Sequence, residues 1–385
     1  MNDRQELRKI ILERINERSD RRITFAEYMD IVLYNRYYGY YSSGRVSIGA
    51  AGDFFTSSSL GKDFGELLAI QFIDIWQLLG KPLSFQLVEM GAGNGNLTLD
   101  IVEFVRENYS EFYNALEYII IEKSPELIKI QQEKLTQFTN LNIAWKSWEA
   151  ISENSLYGCC FANELVDAFP VHLVTIEDGK LREIYLTSDG ETLTENSGEL
   201  STEQLIQYFE LIGIELASPV YSNGYRTEIN LAALDWLQMV ASKLQIGYLL
   251  TIDYGYQAAK YYHPQRSQGT LQCYYQHRRH NNPYINLGYQ DITTHVDFTA
   301  LDRQGRLCNL VTIGFTQQAL FLMALGLGDR LNELSIGKYN FQQVFQRRDA
   351  LHQLISPTGL GGFGVLIQGK NLDSTQYSLK GLNIP

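Results

Sequence analysis

From residue 85 onward the chain alternates short apolar runs with helix-length amphipathic stretches, and that alternation points to βαβ units building a mostly parallel sheet. Phe85 to Met90 is the first expected strand, Tyr118 to Ile121 the second, Leu141 to Trp145 the third and Gly158 to Ala162 the fourth. Helices over Leu97 to Val105 and Pro125 to Leu135 fill the gaps between the first three. The fifth strand, Gly247 to Ile252, arrives only after a stretch far longer than one crossover, so residues 171–245 hold an inserted α+β unit. Val171 to Leu193 alternates like a β-meander with Asp178-Gly179 and Asp189-Gly190 as turns, and helical patterns follow near Thr202 to Leu211 and Ile229 to Lys243. Leu310 to Ile313 and Gly364 to Ile367 bring the count to seven strands.

Residues 1–81 precede this core and are helical at both ends. Ile10, Ile11 and Ile15 space one helix, Thr24 caps a second that carries Phe25, Tyr28, Met29, Val32 and Leu33, and Phe64, Leu68, Phe72, Ile75 and Leu79 stripe a third. Between Tyr34 and Ser59, four glycines among Ser and Tyr mark a long functional loop. The core is expected over 82–170 and again over 246–385, with a polar, aromatic loop at 254–298 on the substrate side.

At 385 residues, 45% hydrophobic and 20% charged, the chain is too apolar for disorder and long enough for a core plus an insertion. A net charge of -12 opposes a phosphate backbone, which excludes a non-specific nucleic-acid binder. Cys159, Cys160, Cys273 and Cys308 form no disulfide framework, the N-terminal stretch lacks an export signal, and the longest apolar runs fall far short of the ~20 residues of a membrane span. A soluble, cytoplasmic protein without membrane insertion is expected. Cys273, His277 and His280 have metal-ligand spacing but no evident fourth ligand, so no metal site is expected. Gln276 to His280 is basic within an acidic chain, either a solvated loop or a docking patch.

The sharpest local signal is Glu89-Met90-Gly91-Ala92-Gly93-Asn94-Gly95-Asn96, a strand running through alternate glycines into a helix. Glycines let the backbone turn tightly and approach a ligand closely, although a purely structural turn reads the same way. Asn96 stands where a dinucleotide fingerprint has its third glycine, which argues against NAD. Glu122 ends the second strand where an acid accepts ribose hydroxyls, unless it is a solvated strand end. Trp148 offers a flat surface for an adenine, or core packing. Asn163, Glu164 and Asp167 follow the fourth strand, where an amide and two acids suit a nitrogen acceptor, or where Asn163 merely caps a helix.

The E-x-G-x-G-x-G pattern of Glu89 to Gly95 resembles the first-strand motif of class I S-adenosylmethionine-dependent methyltransferases. Further segments resemble the MidA-like branch of that family, bacterial relatives of a mitochondrial complex I assembly factor that methylates an arginine. They are Met29 to Tyr41, Gly52 to Ser57, Phe64-Gly65-Glu66, Glu122-Lys123-Ser124, Ala162-Asn163-Glu164 with Asp167 to Val171, Tyr225 to Glu228, Asp253-Tyr254-Gly255, Gly269-Thr270-Leu271, and Asp291 to Phe298. Asn35-Arg36 stands where that family usually has a proline, and Ser57-Ser58-Ser59 where it has Ser-Pro-Glu. The resemblance implies a seven-strand Rossmann-like methyltransferase sheet with an inserted lid, S-adenosyl-L-methionine as cofactor and a protein arginine as acceptor. Glu89, Gly91, Ala92, Gly93, Asn94, Gly95, Glu122, Trp148 and Asn163 are then the cofactor candidates, joined by Gly52, Asp53 and Thr56. Asn163, Glu164, Asp167 and Glu228 are the catalytic candidates, with Asp253 behind them. Tyrosines of the Tyr34 to Tyr41 segment are candidates to surround a sulfonium through cation–π contact. A methyltransferase for a small molecule or another nitrogen, and a cofactor-binding assembly chaperone without turnover, stay open as alternatives.

Overall fold

The computed structural model describes residues 3–43, 56–190, 192–276, 278–335 and 340–384. Its seven-stranded central sheet is built, in chain order, from Phe85–Met90, Leu116–Ile121, Asn142–Lys146, Leu156–Asn163, Leu244–Asp253, Val311–Gln317 and Gly364–Lys370. The first five run parallel, and the last returns antiparallel between the fifth and the sixth. Chain order and sheet order diverge at the centre, where Phe85–Met90 lies between Leu116–Ile121 and Leu156–Asn163. The carboxyl ends of these strands therefore open a crevice at a topological switch point.

Both faces of the sheet are covered at its centre, which is why the inner strands read as mostly apolar runs, whereas the edge strands Asn142–Lys146 and Val311–Gln317 stay partly exposed. On one face Phe64, Leu68 and Phe72 of helix Asp63–Leu78 join Ile101 and Val105 of helix Asn96–Asn108 and Phe321 from the C-terminal part. On the other, Leu237, Val240 and Ala241 of helix Leu231–Lys243 and Leu301 of helix Phe298–Leu307 pack on Val88, Met90 and Cys160. Helix Leu231–Lys243, assigned from sequence to the insertion, is thus the crossover between the fourth and fifth core strands. Its start is fixed by Asn230, whose side chain accepts from the Ala233 N–H at 2.9 Å and donates to the Val166 carbonyl at 3.2 Å.

The insertion proper is an antiparallel sheet of His172–Glu177, Lys180–Asp189, Thr192–Gly198 and a strand the sequence reading missed, Arg226–Ile229. Ile23–Thr24, between the first two helices, pairs with Tyr185 and Leu186 and adds a fifth member. Strand alternation divides the burial: Leu173 faces Leu7, Ile11 and Ile15 of the first helix, whereas Val174 faces Leu205, Tyr208 and Phe209 of helix Gln204–Ile212. The N-terminal region therefore splits, its first two helices joining the insertion and its third the core. Residues 254–298, read as a loop, contain the short antiparallel strands Gln272–Tyr275, Arg278–His280 and Asp291–Thr293. Cys273 and Ile292 of these strands enter the cluster around the first two helices. Three separate stretches of sequence thus form one cap beside the strand ends. Among the described residues no helix is long and apolar enough to cross a membrane.

Candidate functional site

A cavity of about 810 Å³ lies between the strand ends and the cap. Gly91, Ala92, Gly93 and Asn94 form part of its wall. The first core strand hands its ladder on through the Gly91 N–H, which donates to the Ile121 carbonyl at 3.0 Å, and the backbone then turns left-handed at Gly91, φ +73°. A Cβ on Gly91 would stand 2.8 Å from Leu165 Cδ1, so a side chain there meets both strain and a neighbour. Gly95, φ +76°, opens helix Asn96–Asn108 and sits behind the wall against Gln131.

Gln131 is a residue the sequence reading missed. Fully buried, its amide donates to the Gly93 carbonyl at 2.7 Å and to Glu122 Oε2 at 3.4 Å, while its oxygen accepts from the Trp145 indole at 2.8 Å. It ties the glycine loop to the acid at the end of the second strand. The signal was a polar residue on the buried stripe Leu127, Gln131, Leu135 of helix Pro125–Leu135. Glu122 lines the cavity; its Oε1 accepts the N–H groups of Lys123 and Ser124 at 2.8 and 2.9 Å, and burial nevertheless raises its pKa. Held this way, its carboxylate presents acceptors to the cavity as a ribose diol requires.

Glu89 also lines the cavity but is largely committed beneath the loop. Its Oε2 accepts the hydroxyls of Thr98 at 2.6 Å and Tyr118 at 2.5 Å, and burial pushes its pKa up to about 7 against those bonds. Thr56 lines the cavity too, at the start of a short turn in which Ser59 Oγ accepts from the Thr56 N–H and donates to its carbonyl. Gly52 and Asp53 lie outside the described residues. Trp148 is not among the lining residues; it packs at the edge of the cluster formed by Val88 and Met90. The alternative in which Asn163 caps a helix is not what the structure has: a single 3-10 turn follows, Val166–Ala168.

Asn163, Glu164 and Asp167, at and just after the end of the strand next to the one that carries the loop, line the same cavity. Glu164 has a left-handed backbone, φ +52°, which its N–H bond to the Ile252 carbonyl at 2.9 Å helps to hold. Its Oε1 accepts from the Ser57 N–H at 2.8 Å and the Asn163 amide at 3.3 Å. Burial outweighs these bonds and pushes its pKa up to about 8. Asp167, raised to about 6 by burial, accepts the Tyr254 hydroxyl at 2.6 Å on Oδ2. Asp253 accepts N–H groups of Val166, Asp167 and Tyr254, and burial, with the charges of Asp167 and Glu164, drives it well above the carboxylate range. No cation pairs with these three carboxylates among the described residues, and Asn163 Oδ1 and Asp167 Oδ1 are buried without a partner. Orphaned acceptors beside a cluster of buried carboxyls are the chemistry of a site that receives a cationic, hydrogen-bond-donating group.

Glu228 is not part of that cluster, and its place in a catalytic clamp is corrected here. It is buried in the insertion, absent from the cavity wall, and its oxygens accept the N–H groups of Thr270 at 2.9 and 3.0 Å and of Leu271 at 3.0 Å, with the hydroxyls of Thr270 and Tyr261 besides. A carboxylate so fully engaged has no lone pair to offer a ligand. Tyr34 and Tyr41 do reach the cavity, stacked at 5.5 Å, with hydroxyls on the Ala168 carbonyl and Asp291 Oδ1. Cys273 is buried and paired across strands with His280, while His277 lies outside the described residues.

Comparison with known proteins agrees with this geometry. The profile of the family described as "Putative S-adenosyl-L-methionine-dependent methyltransferase" matches residues 67–316. The mitochondrial protein arginine methyltransferase NDUFAF7 of Rattus norvegicus is 29% identical over 368 residues, covering 88% of this chain and 79% of its own. Its Homo sapiens counterpart is 29% identical over 387 residues, covering 92% and 82%. A Burkholderia thailandensis protein crystallised with S-adenosyl-homocysteine superposes with a TM-score of 0.87 at 30% identity, over 98% of this chain and 95% of that one.

Proposed function

The chain belongs to the family of S-adenosyl-L-methionine-dependent methyltransferases, and from that premise we propose that its methyl acceptor is the guanidinium of an arginine on a protein partner. The observation that carries the acceptor reading is the buried trio Glu164, Asp167 and Asp253, with no cation paired to it among the described residues and with unpartnered acceptors on Asn163 and Asp167. The arginine methyltransferases among its relatives support the same reading.

When bound, S-adenosylmethionine supplies a methyl group on a sulfonium sulfur. Glu122 would accept the ribose hydroxyls and the Gly91 to Asn94 backbone would meet the cofactor closely, a reading supported by their shared place on the cavity wall. A guanidinium is a poor nucleophile while its charge is spread over three nitrogens. Carboxylates at Glu164 and Asp167 would draw that charge and its protons to the nitrogens they face, leaving electron density on the remaining one. Alignment within a walled cavity does the rest, since the transfer is an in-line displacement. The nitrogen would bond the methyl carbon as the carbon–sulfur bond breaks and S-adenosyl-homocysteine is released, and the surplus guanidinium proton would pass to a carboxylate of the pair. Asp253 acts behind this pair, fixing the turn that carries Asp167 through its bonds to the Val166 and Asp167 N–H groups. The expected cytoplasmic setting is likewise a proposal, supported by four free cysteines, three of them buried.

The test is incubation of the purified protein with labelled S-adenosylmethionine and lysate, followed by mapping of the labelled residue. Label on an arginine side chain is the expected result. Label on a lysine, a small molecule, or nothing in the presence of bound cofactor overturns the acceptor reading.

A further inference from the structure

The cavity is acidic at its floor and basic at its mouth. Lys260 and Arg279 both line it, and both are exposed. Arg266 lies beside Lys260: the two cationic groups sit 4.4 and 4.2 Å from the centroid of the Tyr256 ring, which stacks on the His295 imidazole at 4.9 Å. Among the described residues none of these three cations has a carboxylate within ion-pairing distance. Arg266 is held instead by the carbonyls of Lys260 and Tyr261. Burial, followed by the charges of Arg266, Arg279 and Lys260, pushes the His295 pKa down to about 4. The three positive fields therefore converge on one point of the rim, and His295 is neutral there at pH 7.

In a chain with 44 acids against 32 Lys and Arg, three cations gathered at one opening, none of them ion-paired among the described residues, are a local reversal of sign. An arginine entering alone would be drawn by the floor and repelled by the rim. An arginine accompanied by an acid meets complementary charge at both depths. Building on the arginine reading above, we propose that the acceptor segment carries an aspartate or glutamate within a few residues of the methylated arginine, seated on Lys260, Arg266 and Arg279.

Peptides acetyl-Gly-X-Gly-Arg-Gly-X-Gly-amide, with X as Asp, Ala or Lys, test this at low salt against the protein loaded with S-adenosyl-homocysteine, by calorimetry, and with labelled S-adenosylmethionine for transfer. The expected affinity order is Asp, Ala, Lys, with at least about tenfold between the extremes. In the double variant Lys260→Glu/Arg279→Glu the order should invert while S-adenosyl-homocysteine binds as in the wild type. Equal affinities in the wild type, no binding of the Asp peptide, or an order that the double variant leaves unchanged would each overturn the proposal. So would loss of S-adenosyl-homocysteine affinity in the double variant, which would assign the cations to the cofactor's carboxylate. Binding in the expected order with no label on any peptide arginine would keep the charge preference and overturn the arginine reading instead.

Discussion

Glu164 carries the conflict on which the chemistry turns. Burial favours its neutral form, with a pKa of about 8, whereas holding a guanidinium requires its charge. The acceptor must therefore find Glu164 and Asp167 ionised or ionise them on arrival, so kcat/KM for a mapped arginine substrate, with donor saturating, should rise with pH between about 6 and about 8. A flat profile across that window would remove both carboxylates from acceptor binding. Glu164→Gln keeps an oxygen for the Ser57 N–H but loses the charge, so cofactor affinity should stay within about tenfold while transfer falls by about 10²–10³. Comparable transfer by variant and wild type would exclude the residue. Asn163, Glu164, Asp167 and Glu122 were legible in sequence because a strand's carboxyl end is a readable place. Gln131 and the partners of Glu228 were not, because each depends on which distant backbone groups packing brings near.

At the scale of elements, Glu228 shows what that ignorance costs a sequence argument. Its strand, Arg226–Ile229, is only four residues long and was invisible to a search for alternation, yet it pins Thr270 and Leu271 to the insertion through their N–H groups. Glu228→Ala should leave these buried donors without acceptors, at about 1–3 kcal/mol each, and lower the melting temperature. A variant of unchanged stability that fails only in methyl transfer would return Glu228 to the clamp. All seven core strands were found, Phe85–Met90 to the residue and the others with ends displaced by up to four residues, since burial on both faces gives the central ones a short apolar run. Helix Leu231–Lys243 was assigned to the wrong unit because its periodicity reveals one buried face and not the surface that face meets. The strands within 254–298 escaped because stretches of only three or four residues carry no period.

For the molecule as a whole, buried acids set the dependence of stability on pH. Glu89, Asp100, Glu164, Asp167 and Asp297 are raised to about 7, 7, 8, 6 and 6, well above the unfolded range. The folded state thus keeps protons that the unfolded chain releases, and their stabilising effect is complete below pH 4 and lost as pH climbs through those values. His295, lowered to about 4, works in the opposite sense, as do Glu183 and Glu195, which His172 and Arg226 hold down against burial, but these act mostly below pH 6.5. The melting temperature of the protein without cofactor should accordingly fall between pH 6.5 and 8, and Glu89→Gln should flatten that fall. A melting temperature that rises over the same interval would mean that these carboxyls are charged in the folded state. The cap has a consequence for the order of events during synthesis. Ile23 pairs with Leu186 and the Tyr28 hydroxyl bonds to the Pro283 carbonyl, so its early helices must wait for segments translated long after them. Such non-local closure is slow, and a nascent chain arrested before residue 283 would own the glycine loop yet lack one side of the chamber that gives it an occupant.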